Sequence, residues 1–175
     1  LVGSEMCIRD RNYPLSTMVQ EDDNMSHFQL SAEKLLENFP LISHIAWAPN
    51  GIIGHIVPLA GNEKALGLDL LSDPKQKEEV LLARKTGNMT LAGPLKLVQG
   101  GEALVSRFPI YRGAENRFLG FLFIAIRFPD IINATFIDTL KDEGYQYELR
   151  RININTGKEQ IIFSSGTDKL KQPLE

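Results

Sequence analysis

Three β-rich segments follow one another between residues 89 and 128, and they constrain the fold more than any other feature of the sequence. They occupy residues 89–98, 103–111 and 117–128, and only a Gly100-Gly101 turn and the short RGAEN stretch separate them. Connections this short join antiparallel neighbours, because parallel strands need a crossover of a dozen or more residues. The pattern therefore predicts an antiparallel meander.

A further pair of strands is predicted upstream. The stretch LISHIAWAPNGIIGHIVPL contains two apolar runs around Asn50-Gly51. Asn-Gly is typical of hairpin turns since both residues tolerate a positive φ. We expect strands at residues 42–48 and 52–58, and a last strand pair at residues 145–154 and 160–164 around the NTGK turn.

Three amphipathic helices are predicted between these strands. The first ends at Pro40 and places Phe28, Leu35 and Leu36 at helical spacing. The second spans residues 74–85, with Asp73 or Ser72 as the N-cap, Gln76 completing a capping box and Gly87 after the last turn. A third helix starts at Pro129 and stops at Gly144. These signals are those of helix ends.

This order of elements predicts an α+β fold with one antiparallel sheet of about five strands and flanking helices. We expect a single domain over residues 27–166 and a tail over residues 167–175. Residues 1–26 are expected to be disordered or artefactual, because SEMCIRDR resembles translated adaptor sequence and no basic and apolar signal peptide is present.

Composition and motifs exclude several classes of function. The net charge of -3 argues against a polybasic nucleic-acid binder, so no nucleic-acid partner is expected. The longest apolar stretch, residues 118–132, contains Arg127, Pro129 and Asp130 and predicts a buried strand rather than a membrane span. We find no nucleophile elbow, phosphate-binding loop or zinc-protease motif, and Cys7 is the single cysteine, so no catalytic residues and no cofactor are predicted.

Histidines and aromatic residues are interpreted as structural. His44 and His55 are placed to face each other across the Asn50-Gly51 hairpin, but two histidines without a fixed third ligand are weak evidence for a metal, and His27 lies far away in sequence. No metal site is therefore predicted. Trp47 and Phe108 are expected in the core rather than in a ligand platform.

Asp69 is the candidate binding residue, because it interrupts a run of leucines at residues 66–71. A desolvated carboxylate costs several kcal/mol unless it is paired or hydrogen-bonded. Its partner is either an N–H group of a ligand or an internal group, namely Arg84, Arg107 or backbone N–H groups near the helix start. Arg107 alternates with Val105 and Pro109, and it either brings a cation to an anionic ligand or faces solvent.

The segment from residue 58 to residue 111, followed by RFLGFLFIAIRF, resembles the CHASE domain, the extracellular sensor module of bacterial and plant receptor kinases and cyclases. The resemblance rests on six motifs in register: P-L-x-G-N, G-x-D-L-L-x-D-P, A-R-x-T-G, L-A-G-P, L-x-Q-G-G and R-F-P-I-Y. It covers residues 28–147 and implies a PAS-like fold, in which alternate residues of the sheet line a ligand pocket beneath the helices.

The resemblance also implies a function and a site. Such domains lie between two transmembrane helices, face the periplasm, and regulate a cytoplasmic histidine kinase, diguanylate cyclase or adenylate cyclase. In plant members an aspartate holds an adenine-type hormone; Asp69 corresponds to that aspartate, Leu91 to a ligand-contacting main-chain position and Thr86 to a functionally sensitive threonine.

We therefore expect a ligand-sensing domain of an inner-membrane receptor, without catalysis of its own. It would bind an unidentified small molecule, with Asp69, Leu91, Thr86 and Arg107 as its ligand-binding residues, and form a homodimer through the N-terminal helix. The alternative is a ligand-free scaffold that mainly mediates receptor dimerisation. A third possibility, a small-molecule hydrolase, has no motif in its favour.

Overall fold

A computed structural model describes Val19 and residues 25–74, 76–112, 114–134, 137–152 and 157–166. The chain divides after Arg127 into two compact units, Leu1–Arg127 and Phe128–Glu175. Most of residues 1–26 and the whole tail at residues 167–175, both singled out in the sequence, lie outside the described residues.

The first unit is built on a five-stranded antiparallel sheet, as the sequence predicts. Its strands are β1 (Ile42–Pro49), β2 (His55–Val57), β3 (Thr90–Lys96), β4 (Glu102–Arg112) and β5 (Arg117–Arg127). They are ordered β2-β1-β5-β4-β3. The three segments of the predicted meander are therefore neighbours, and β1 inserts between β5 and β2. This arrangement confirms the α+β, PAS-like fold class.

A helix covers each face of the sheet, and successive residues of a strand contribute to opposite faces. Ile45, Trp47 and Leu122 belong to an apolar cluster with the first helix, α1 (Met25–Asn38), which buries Phe28 and Ala32. Ala46 and Phe123 belong to the cluster on the opposite face. There the second helix, α2 (Lys77–Thr86), buries Val80 and Ala83. Successive strand side chains point to opposite faces, which explains this division.

The second helix begins later than the capping pattern predicts. Its first residue is Lys77, and Asp73 accepts the backbone N–H groups of Gln76 and Lys77 through its carbonyl oxygen at 3.1 and 2.8 Å. The Gln76 side chain donates to the Asp73 carboxylate instead of closing a capping box. The predicted end is confirmed, because Gly87 adopts a left-handed φ of 69°.

The first hairpin is also modified. Asn50 and Gly51 have the predicted positive φ values of 54° and 93°. The strand after them is shorter than expected, because the backbone of Ile53 exchanges hydrogen bonds with Leu68 and Gly67. An isolated bridge between Ile52 and Asp69 extends this pairing. Residues 51–53 thus pair with the segment that precedes α2, while Gly51 and Ile52 keep only turn hydrogen bonds to Ala48 and Pro49 at the end of β1.

The second unit contains helices α3 (Phe128–Ala134) and α4 (Ile137–Asp142) and an antiparallel pair of strands, β6 (Glu148–Ile152) and β7 (Glu159–Ser164). The helix predicted from Pro129 to Gly144 is helical on both sides of residues 135–136. These two residues lie outside the described residues. None of the helices in the described part of the chain is long and apolar enough to cross a bilayer.

Candidate ligand-binding cavity

A cavity of about 180 Å³ lies on the α2 side of the sheet. Its floor comes from four strands, β1, β3, β4 and β5. Its cover comes from the loop before β2, from the connection between β2 and α2, and from the end of β3 with the turn that follows it. The floor residues are His44, Ala46, Leu95, Val105 and Phe123, and the cover residues are Ile53, Ala65, Leu68, Leu70, Asp73, Gln76, Lys96, Leu97, Val98 and Gln99.

The cavity follows from the size and alternation of the residues around it. Ala46 and Ala65 end at Cβ, so floor and cover approach each other without filling the space between them. Phe123 pairs with Ala46 on one side and with Arg107 on the other. A mostly apolar lining with a few polar groups is typical of small-molecule sites.

Asp73 and Gln76 are the polar residues of the cover that are held in place by hydrogen bonds to each other and to the sheet. Gln76 Nε2 donates to Asp73 Oδ2 at 2.7 Å. Gln76 Oε1 in turn accepts from Arg107 Nη2 at 2.6 Å. The orientation of the Gln76 amide is consistent with both bonds, since one end accepts from a cation and the other donates to a carboxylate.

Arg107 is fully buried, with a relative accessibility of 0%. The expectation that it faces solvent is therefore wrong. It lies on the same face of β4 as Val105, under α2, where its Nη1 is 3.6 Å from Glu79 Oε2. Burial of a guanidinium requires such partners, because an unpaired charge away from water is very costly. Arg107 supports the cavity wall through Gln76 but does not line the cavity.

His44 is the buried titratable residue of the cavity floor. Burial, together with the nearby Arg127 cation, lowers the pKa of the imidazole from 6.5 to about 4. The ring is therefore neutral at pH 7, and its Nδ1 lies 2.9 Å from the Ser43 hydroxyl. His55, by contrast, is exposed and pairs with Trp47, so the two histidines do not face each other. The described residues contain no group of three potential metal ligands.

A side-chain pair links the two loops of the cover. Gln99 Nε2 donates to Asn62 Oδ1 at 2.8 Å, and Asn62 Nδ2 donates to the carbonyl of Pro58 at 2.9 Å. Gln99 follows β3, whereas Asn62 lies just after β2. These bonds hold the two loops over the cavity and give both the oxygen and the nitrogen of the Asn62 amide a partner.

Asp69 lies outside the cavity lining, although Leu68 and Leu70 on either side of it belong to that lining. Its carboxylate accepts from the backbone N–H of Leu71 at 2.9 Å and from the hydroxyl of Ser72 at 2.6 Å. The Ser72 hydrogen bond, as the largest cause, lowers the pKa of Asp69. The residue is half-exposed, so the expected loss of water does not occur and internal groups serve as its partners.

Thr86 and Leu91 also lie away from the cavity. Thr86 Oγ1 donates to the carbonyl of Leu82 and accepts the N–H of Asn88, so it ends α2. Leu91, on β3, is 49% exposed. The structure thus does not bring the four predicted site residues together, and their contact with a ligand stays a prediction.

The sequence pattern does not identify Asp73, Gln76 or Gln99 as site residues: it predicts helix capping for the first two, and it predicts a structural rather than a metal-binding role for His44. The leucine pattern does carry one signal about which aspartate lines the cavity. Leu68 and Leu70 are apolar residues on either side of Asp69, and in extended chain such alternation places the middle residue on the opposite face. The next acidic residue, Asp73, was assigned to helix capping alone.

Comparisons with known proteins agree with this architecture. The model of the CHASE domain family matches residues 16–163. No curated protein matches the chain significantly. Among solved structures, an extracellular ligand-binding receptor from Desulfohalobium retbaense superposes with a TM-score of 0.62 at 16% identity, over 90% of this chain and 29% of that one.

Two chemoreceptor domains are also similar. The ligand-binding domain of the Pseudomonas aeruginosa amino acid chemoreceptor PctC, solved with GABA, has a TM-score of 0.56 at 14% identity, over 85% of this chain and 63% of that one. The sensory domain of the Campylobacter jejuni chemoreceptor Tlp3 has a TM-score of 0.53 at 15% identity, over 75% of this chain and 55% of that one. The chain thus spans less than two thirds of each of these structures, and the likeness concerns the fold.

Proposed function

The chain belongs to the CHASE domain family, and on that premise we propose that it senses a small molecule outside the cytoplasm as part of a membrane receptor. The observation that carries the proposal is the cavity of about 180 Å³ between the sheet and its cover. The fold shared with the GABA-bound domain of PctC supports a small-molecule ligand.

Signalling would use the cover of the cavity. A ligand shifts a conformational equilibrium only by its difference in affinity for the two states. The cover contacts the ligand and continues directly into α2, whose orientation is tied to β4 through Arg107. A ligand that fits one position of the cover better than another would therefore change the populations of the two positions of α2 relative to the sheet.

The rest of the receptor completes the proposal. The domain would face the periplasm, with flanking transmembrane segments in the inner membrane and a cytoplasmic histidine kinase, diguanylate cyclase or adenylate cyclase as its output. It would carry no catalysis of its own, and it would act as a homodimer joined through α1. Kinase or cyclase assays of the intact receptor, with and without the ligand, test the output.

Ligand binding is tested first by thermal shift of the chain against a library of amines, purines, acids and peptides. A ligand at about 100 times its Kd stabilises the folded state by about 2.7 kcal/mol. The matched control is Ala46→Leu, which fills the floor of the cavity and should abolish the shift. Stabilisation that survives in Ala46→Leu would place the binding elsewhere.

The alternative, a ligand-free scaffold for receptor dimerisation, gives a different result. It predicts no shift with any compound, together with a dimer whose formation depends on protein concentration. Analytical ultracentrifugation of the chain across a range of concentrations measures the second property. Library-wide absence of binding combined with such a dimer would replace the sensor by the scaffold.

A further inference from the structure

We infer that the cavity takes a small organic amine, held as its ammonium form by the carboxylate of Asp73. The inference rests on the proposed sensing function and specifies its ligand class. It follows from three properties of the cavity: its volume, the charge presented at its wall, and the rigidity with which that charge is held.

The volume sets the size of the ligand. A dry cavity of about 150 Å³ accommodates benzene, so a cavity of about 180 Å³ accommodates a skeleton of roughly six to ten non-hydrogen atoms. The floor around Phe123 and Val105 and the leucines of the cover are apolar. The body of the ligand is therefore a short aliphatic chain or one aromatic ring.

The charge selects the head group. Asp73 and Lys96 are the charged residues among those that line the cavity. Lys96 is exposed, whereas Asp73 is half-buried. The third titratable residue of the lining, His44, is neutral at pH 7. A carboxylate accepts several hydrogen bonds from an ammonium, which has three donors and no acceptor. The wall is thus complementary to a cation.

The carboxylate of Asp73 is positioned before a ligand arrives. Its Oδ2 accepts from Gln76 Nε2, and Gln76 is itself held by the buried guanidinium of Arg107. A preorganised group loses little conformational entropy on binding. None of the described residues holds the exposed Lys96 side chain in this way, so an anionic head would have to order a long, solvated side chain.

Arg107 does not reverse this preference. Its guanidinium lies behind Gln76 and beside Glu79 rather than in the lining. The Glu79 carboxylate offsets the charge of the guanidinium at 3.6 Å. Within the hydrogen-bonded series Arg107, Gln76 and Asp73, the last two line the cavity, and Asp73 supplies the charge there.

Matched sets of fragments test the ligand class. Each set places an amine, an alcohol and a carboxylate on the same skeleton: butyl, isopentyl and benzyl. Binding to the chain is measured by ligand-observed NMR and isothermal titration calorimetry at pH 7. We expect the amines to bind more tightly than their alcohols and carboxylates, and Ala65→Leu, which fills the cavity, to abolish that binding.

Two isosteric variants locate the head group. Asp73→Asn keeps an acceptor for Gln76 Nε2 but removes the charge, and it should weaken amine binding about tenfold or more. Glu78→Gln is the control, since it neutralises an exposed carboxylate of α2 outside the lining, and it should leave the affinity unchanged. Asp69→Asn tests the competing carboxylate. Circular dichroism confirms that all three variants are folded.

Three results would overturn the inference. The first is tighter binding of the carboxylates or alcohols, at a site that Ala65→Leu blocks. The second is amine binding that Asp69→Asn weakens and Asp73→Asn leaves intact. The third is absence of binding for every fragment. The first two results contradict the amine ligand but leave the proposed sensing function standing. After the third result, the library screen by thermal shift tests the sensing function separately.

Discussion

The buried imidazole of His44 makes stability depend on pH in a way that can be calculated from the structure. His44 lies in the floor of the cavity with a relative accessibility of 7%. Burial, and second the Arg127 cation, lower its pKa in the folded chain from 6.5 to about 4. The unfolded chain binds the proton with the ordinary pKa, so between these two values it holds one more proton than the folded chain.

The sign and size of the effect follow from this difference. Stability rises with pH wherever the unfolded state binds more protons. The contribution of His44 is therefore fully present above pH 6.5 and is lost as the pH falls toward 4. From pH 7.5 to pH 4.5 the free energy of unfolding should fall by about 2.5 kcal/mol from this residue alone.

Urea denaturation of the wild-type chain and of His44→Gln at several pH values measures the effect. The free energy of unfolding of His44→Gln should be less sensitive to acid by about 2.5 kcal/mol over that interval. His55→Gln is the matched control on the neighbouring strand, and the loss assigned to His44 should persist in it, because His55 is exposed and its replacement leaves His44 buried. Parallel curves for wild type and His44→Gln would refute the reasoning.

Three further substitutions test contacts that hold the first unit together. Glu79→Gln removes the carboxylate beside buried Arg107 and should cost about 3 kcal/mol in urea denaturation. Gly120→Ala places a Cβ 2.3 Å from the Ala48 carbonyl oxygen. Calorimetry should therefore show that the free energy of unfolding falls by about 3 kcal/mol. Gln99→Leu should cost about 1–2 kcal/mol and increase amide hydrogen exchange in the cover, because it leaves an acceptor of Asn62 without its donor.

Glu79→Gln and Gly120→Ala each have a control substitution. Glu78→Gln changes an exposed carboxylate of α2 and should alter stability by less than about 0.5 kcal/mol. Gly54→Ala brings a Cβ only to ordinary contact, 3.4 Å from Pro49, and should cost much less than Gly120→Ala. Equal losses in a variant and its control would contradict the assigned cause.

Local sequence patterns were sufficient to predict most of the first unit. The three segments of the meander became β3, β4 and β5, because short turns leave antiparallel pairing as the available arrangement. The left-handed φ of Gly87 ended α2 where predicted. The start of α2 was placed too early, since Asp73 accepts the first helical N–H groups with its backbone carbonyl while its side chain is bonded to Gln76.

The candidate site was less accessible to such patterns. Asp69 interrupts a leucine run, which predicts a buried carboxylate that needs a partner. In the structure it accepts hydrogen bonds from Leu71 and Ser72 within its own loop. Arg107 was expected to face solvent, and it is buried because α2 supplies Glu79 and Gln76 above it. Whether an arginine on a strand faces water depends on which helix covers that face of the sheet. For Arg107 the covering residues, Glu79 and Gln76, are far away in sequence, at separations of 28 and 31 positions.

The sequence by itself determined the fold class, the antiparallel strands and the end of α2, because periodicity and turn chemistry act between residues close in the chain. Its motifs also carried the resemblance to CHASE domains. Only the tertiary structure decided the cavity and its polar wall. Floor and cover come from segments far apart in sequence, and the space between them depends on how closely Ala46 and Ala65 allow those segments to pack.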